Sequence, residues 1–249
     1  MILTKIIINM KNLKILFVIA FYLGIISCID GQSFRTVRGD GNVVKEERSA
    51  PYFDGIRVAS GIDVYLKQGN DESITVEADE NLHDYIITEV ENGILRVRTD
   101  RVNIRSAERK RVYVTMKDVK SLKTSSAGDL VCETPIRSDD IELGASSAGD
   151  IKLELYATNV KLNISSSGDI DLSGEAETLD ASLSSAGDLS AYNFKVKTAD
   201  VSASSAGDAN IYVTERLVAR ASSAGDISYQ GHPEFVDAHS SSAGSIRGR

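Results

Sequence analysis

From Leu122 onward, apolar and polar residues alternate with period two, and the alternation is phased on a recurring glycine. Two residues after that glycine stand Leu130, Ile151, Ile170, Leu189, Ala209, Ile227 and Ile246. Four after it stand Cys132, Leu153, Leu172, Ala191, Ile211 and Tyr229. Six before it come Leu122, Leu143, Leu162, Ala181, Val201, Ala219 and Ala238. Eight before it come Ile141, Val160, Leu179, Ala199, Leu217 and Val236, with Lys120 the exception. A period of two marks strand with one buried face, and helical spacing does not fit.

The glycine belongs to a repeated pentapeptide. Ser-Ser-Ala-Gly-Asp stands at 125–129, 146–150, 184–188, 204–208 and 222–226; Ser165–Asp169 varies it to S-S-S-G-D and Ser241–Ser245 to S-S-A-G-S. The glycines are Gly128, Gly149, Gly168, Gly187, Gly207, Gly225 and Gly244, spaced 21, 19, 19, 20, 18 and 19 residues apart. A unit of about 19 residues, holding two or three short strands, cannot bury its apolar face alone, whereas stacked copies can. The expected fold is all-β: one β-solenoid domain with a coil per repeat and parallel pairing between coils. An antiparallel sandwich is the rival, but the repeat places the same turn at the same point in every unit, which stacked coils need and hairpins do not. Glycine at the bend supplies φ > 0 or close backbone approach. The serine two residues before it shares the inward parity and is expected to line the bend interior.

Residues 51–118 carry strand patterns without the strict repeat: Ile56 and Val58; Ile62, Val64 and Leu66; Ser73 to Ala78; and Val112, Val114 and Met116. Asn92-Gly93, between Ile86–Glu91 and Ile94–Thr99, predicts a hairpin, and Asn81 to Tyr85 a short helical turn. This region is read as irregular early coils continuous with the seven repeats of 119–249, with a separate cap domain as the alternative.

Upstream, Ile15 to Ile26 is a 12-residue uncharged run preceded by Lys11 and Lys14. A spanning helix needs about 20 apolar residues, so the run fits the core of an export signal. Met10 is a second candidate start. The run ends Ile25-Ile26-Ser27-Cys28, which resembles a bacterial lipobox. The resemblance implies cleavage after residue 27, acylation of Cys28, and a polar tether over 28–50. The chain carries 28 basic and 36 acidic side chains, a formal −8. Losing Lys5, Lys11 and Lys14 with the signal leaves 25 against 36, a formal −11. That balance argues against a nucleic-acid partner, which needs a basic face. Cys132 is then the only other cysteine, placed by the alternation in the core.

Gly61-Ile62-Asp63-Val64-Tyr65-Leu66 and the seven turn units together resemble the head GIN domain family of auto-transporter adhesins over about residues 40–249. Asp63 stands where the eponymous Gly-Ile-Asn triplet has Asn. The resemblance implies a right-handed parallel β-helix and a bacterial cell-envelope location at the outer membrane. A self-secreting autotransporter would need a C-terminal membrane barrel; here the lipobox is expected to provide the anchor.

The aspartates after the glycines, Asp129, Asp150, Asp169, Asp188, Asp208 and Asp226, form a column in stacked coils, ended by Ser245. Neighbours about 5 Å apart repel by roughly 1 kcal/mol in water and about 3 kcal/mol at an effective dielectric near 20. A row of Ca²⁺ ions could compensate, because carboxylates and carbonyls suit Ca²⁺. The residues are instead read as a structural turn ladder, since Asp and Ser are ordinary turn residues and the Ca²⁺-binding nonapeptide repeat is absent. No metal or cofactor is expected. His83, His232 and His239 lack metal-ligand spacing and are expected at the surface, and no catalytic motif is present. Tyr65, Tyr156, Tyr192 and Tyr212 are expected at the surface, able to stack on sugars. A polysaccharide-acting β-helix enzyme would need an acid cluster that breaks the repeat, and here the acids follow it. The expected function is that of a non-catalytic, lipid-anchored envelope protein presenting a solenoid face to a glycan or protein ligand. The alternative is an envelope polysaccharide enzyme.

Overall fold

The computed structural model describes residues 35–249, so the expected export signal and Cys28 lie outside the described residues. Thr36–Arg249 form one compact unit. Its strands begin with β1 (Arg35–Arg38), β2 (Val43–Arg48), β3 (Gly55–Val58), β4 (Asp63–Gln68), β5 (Ser73–Asp79), β6 (Ile86–Glu91) and β7 (Ile94–Thr99). Next come β8 (Val102–Ser106), β9 (Lys110–Met116), β10 (Ser121–Thr124), β11 (Asp129–Cys132) and β12 (Ile136–Ser146). The long strands β13 (Asp150–Ser165), β14 (Asp169–Leu183), β15 (Asp188–Ala203) and β16 (Asp208–Ala221) follow, then β17 (Asp226–Gln230), β18 (Phe235–Ser240) and β19 (Ser245–Gly248).

The repeats stack as a solenoid of about seven turns. β12 to β16 pair in parallel, most residues opposite their counterparts one repeat away, with register shifts between β14 and β15 and between β15 and β16. A coil is one long strand bent at mid-length rather than two or three short ones. In β13, Ile151, Leu153 and Leu155 point inward from one face. Alternation then breaks at Tyr156–Asn159, and Val160, Leu162 and Ile164 point inward from the other face. The core is therefore a slab of small aliphatic side chains between two parallel ladders. Parallel pairing has evenly spaced hydrogen bonds and leaves each inner column to be filled by one side chain per coil.

Coil length varies mostly by residues added or dropped ahead of the mid-strand corner. Leu172 faces Ala191 and Tyr192 together, and three residues of β15, Tyr192 to Phe194, have no counterpart in β16. The opposite corner, made by the repeated pentapeptide, never varies.

The early strands depart from the chain's vertical order. β3 pairs in parallel with β10 on one side and β7 on the other, and β4 likewise with β11 and β9. Residues 55–68 thus form a coil sandwiched between the first repeat and a coil built from later residues. Antiparallel strands close this end: β5 lies between β2 and β9, and β6 hairpins with β7 through Asn92-Gly93, both at positive φ. The stretch read as a polar tether is corrected here: from Arg35 it contains strands β1 and β2, and β2 is sheet-paired along its whole length. Buried Asp79 ties this end together, its carboxylate accepting N–H bonds from Gly41, Glu108 and Arg109.

Candidate functional site

The repeated corner is a four-residue turn in which Gly128 donates its N–H to Ser125 O at 3.1 Å, and the same bond recurs through Gly244. Both central residues hold positive φ, as in Ser126 at 53° and Ala127 at 55°. Positive φ at both central positions is the primed turn that matches strand twist. The left-handed residues are therefore serine and alanine, and the glycine beside them is not one of them. The glycine is required for close approach: a Cβ on Gly168 would lie 2.5 Å from Ala145 C of the preceding coil, and one on Gly225 2.5 Å from Ala203 O. The serine two residues before each glycine faces solvent in every repeat, contrary to the inward placement expected, because two consecutive left-handed residues turn it outward.

Each turn is hydrogen-bonded to the next. Ala127 N–H donates to Ser147 O at 3.0 Å, Ala148 to Ser166, Ser167 to Ser185, Ala186 to Ser205, Ala206 to Ser223, and Ala224 to Ser242. The left-handed conformation, costing about 1–2 kcal/mol per residue, aims these donors along the stack, where each is satisfied.

The Gly-Ile-Asp segment adds an eighth bend to this column, without the closing N–H···O bond of the other seven. Asp63 is in register with Asp129, which sets Ser60 and Gly61, at φ 67° and 60°, opposite Ser126 and Ala127. Gly61 N–H donates to Ser126 O at 3.0 Å, the bond made by Ala127 one coil on. Here glycine occupies a left-handed position, and Ile62 stands where the repeats need glycine. The chain beneath runs from β7 to β9 by way of β8 rather than through a tight turn, so Ile62 is buried without a turn pressed against it.

The aspartate column accordingly has seven members, Asp63, Asp129, Asp150, Asp169, Asp188, Asp208 and Asp226, each facing its neighbours in register. Arg111 closes one end at 4.0 Å from Asp63. At the other end, Arg247 Nε donates to Ser245 Oγ at 2.8 Å. Partial burial first, then the adjacent aspartate's charge, hold Asp129, Asp150, Asp188 and Asp208 above the usual carboxylate range. Among the described residues no group of three or more His, Cys, Asp or Glu side chains is arranged to hold a metal ion.

Cys132 is partly buried against the core beside Leu66, and desolvation pushes its thiol up to about 12. His83 is buried rather than at the surface as expected, its Nδ1 3.1 Å from Glu46 Oε2. Tyr65, Tyr156, Tyr192 and Tyr212 are half-buried rather than exposed: Tyr65 stacks on Tyr113 at 5.3 Å, and Arg137 covers Tyr156 at 4.6 Å.

The mid-strand corner carries what the repeat-phased reading missed. It forms a groove of about 880 Å³ that crosses successive coils. Its floor is small: Ser138, Ala157, Ala176 and Val196, aligned in register. One wall is the register column Arg137, Tyr156, Glu175 and Lys195. The other begins with Asp139, Thr158, Glu177 and Lys197, which drop out of the pairing ladder. Beyond them Asn159 donates to Asp140 and Thr178 to Asn159, each at 2.8 Å, while Lys197 Nζ contacts Glu177 at 2.6 and 2.7 Å. The acids here do not follow the repeat, which corrects the expectation that all of them do. Their signal was present in the sequence as the residues that differ from one repeat to the next at a fixed phase.

A parallel solenoid with one invariant turn ladder and one variable, polar, grooved corner is a scaffold for presenting a surface. Residues 52–233 match the family described as "Putative auto-transporter adhesin, head GIN domain", and the chain belongs to that family. No relative is found among curated proteins. The fold is similar to that of a "putative adhesin" from Bacteroides fragilis, at 18% identity and TM-score 0.81, covering 86% of this chain and 100% of that one. A "putative lipid binding protein" from Parabacteroides distasonis is similar at 23% identity and TM-score 0.70, with the same coverages. A "putative adhesin" from Parabacteroides merdae is similar at 21% identity and TM-score 0.66, covering 86% and 99%.

Proposed function

We propose that the protein is a non-catalytic, adhesin-like module of the bacterial cell envelope, anchored through acylated Cys28, and that the mid-strand groove is its ligand face. The groove carries the proposal: it is where the solenoid gives up repetition and gathers donors, acceptors and a small floor on one side. The family's adhesin description supports an envelope or surface location. The lipobox residues Ile25-Ile26-Ser27-Cys28 support the anchor; among the described residues no helix is long and apolar enough to cross a membrane.

Metabolic labelling with radioactive palmitate tests the anchor: wild type takes up label and Cys28→Ser does not. Label retained in the variant rejects the anchor. Adherence of beads coated with the protein, compared with beads coated with a groove variant, tests the ligand face.

One observation favours the enzyme reading, the non-repeating acids Asp139, Asp140, Glu175, Glu177 and Glu215 in the groove. All five are exposed, and Asp140 and Glu177 already hold partners. A glycosidase needs one carboxyl kept neutral by burial, so binding is the better fit. Reducing-sugar release from polysaccharide incubated with the protein decides between the two.

A further inference from the structure

We infer that the groove takes an uncharged, hydroxyl-rich chain, a neutral polysaccharide, lying along the solenoid axis across successive coils. The inference rests on reading this groove as the ligand face.

Main-chain bonding excludes the commonest peptide mode. Tyr156, Ala157, Glu175, Ala176, Lys195 and Val196 are paired with both neighbouring coils, and the Gln68 side chain takes up the N–H and C=O of Arg137 where β12 has a neighbour on one side only, so these strands present no free edge to an added strand. A peptide bound by strand addition needs such an edge. Recognition must come from side chains, and these recur once per coil, about 4.8 Å apart. Asp139, Thr158, Glu177 and Lys197 show the pattern along the groove wall: carboxylate, hydroxyl, carboxylate and ammonium groups, one per coil. Such a row offers acceptors at some steps and donors at others, with the Thr158 hydroxyl able to do both, which suits a polymer whose hydroxyls serve as both.

Charge points the same way. The lining holds Lys120, Arg137, Lys195 and Lys197 against Asp118, Asp139, Asp140, Glu175, Glu177 and Glu215. Signs are interleaved with acids in excess, and Lys197 is paired to Glu177 and Lys120 to Asp54. A polyanion would meet the acidic excess, and a polycation would have to displace these pairs. An uncharged chain meets neither obstacle.

Binding of the full chain, captured on a sensor, is measured against dextran, a β-1,3-glucan and a mannan as neutral probes, heparin as polyanion, and gelatin as polypeptide. The expected result is saturable binding to at least one neutral glycan, with little dependence on salt, since no ion pair forms. The double variant Glu177→Ala/Lys197→Ala removes an exposed pair together and leaves folding intact. It is expected to weaken that binding about tenfold, the loss of two hydrogen bonds of ordinary strength. Thr158→Trp, at an exposed crest, is expected to block it. Asp188→Asn, at the opposite corner, is expected to leave it unchanged. Selective binding of heparin or gelatin, or no binding to any neutral probe, overturns the glycan inference. Neutral-glycan binding untouched by both groove variants overturns it as well. Bead adherence separates the two readings: adherence lost in the groove variants without glycan binding keeps the groove as ligand face and rejects the glycan, whereas adherence unaffected by them rejects the groove.

Discussion

Ala186 donates its backbone N–H to Ser205 O at 3.1 Å, and both residues are left-handed, at φ 58° and 52°. One turn's strain is thus spent on a hydrogen bond to the next turn. This relationship repeats along the solenoid and explains why the pentapeptide tolerates no change of length.

Ala186→Gly should therefore stabilise. Relief of about 1–2 kcal/mol of left-handed strain outweighs an entropic loss of about 0.5–1 kcal/mol. The net gain is about 0.5–1 kcal/mol, read as a higher urea midpoint with unchanged slope. Ala186→Val should lower the midpoint, because β-branched residues are poorest at positive φ.

Gly168→Ala should cost about 2–4 kcal/mol, since its Cβ would press on Ala145 C and Ser146 N at 2.5 and 2.6 Å, both backbone atoms. Gly187→Ala should cost less, because the nearest atom is the side-chain Cγ2 of Ile164 at 2.7 Å. Paired denaturant melts give the order, and equal costs would contradict the close-approach account.

Stability should rise as pH falls from 7 toward the ordinary carboxylate value. Asp129, Asp150, Asp188 and Asp208 are raised in the folded state, so the native protein binds more protons than the unfolded chain in that window. Their stabilising contribution is full below the unfolded value and is lost as pH climbs through the folded one. Asp188→Asn should raise the melting temperature at pH 7 and flatten the slope. Melts with calcium and with EDTA should superimpose; a calcium-dependent rise that Asp188→Asn abolishes would make the column a cation site.

Cys132 should resist alkylation in the native protein at pH 8, because its thiol titrates at about 12 and only the thiolate reacts. In urea the same residue should react at the rate of a free cysteine. Fast native modification would contradict its packing beside Leu66.

By itself, the sequence determined the class of fold, the coil length and the inner face. Seven copies of one turn and a period of two leave few other ways to bury Leu143, Leu162 and Ala181 together. It also determined the aspartate column, since equal spacing in sequence becomes register in a stack. Three matters were decided only by tertiary structure. Left-handed φ fell on Ser-Ala because the neighbouring coil both forbids a Cβ at the glycine and accepts the turn's N–H, and neither constraint is local. Gly61-Ile62-Asp63 could not be recognised as a bend of the same column, because its glycine is shifted by one position and its true neighbour, Asp129, lies 66 residues away. The groove arose where the inward–outward alternation breaks at mid-strand. Sequence alone shows such residues as noise between repeats, and only stacking brings Asp140, Asn159 and Thr178 into one row.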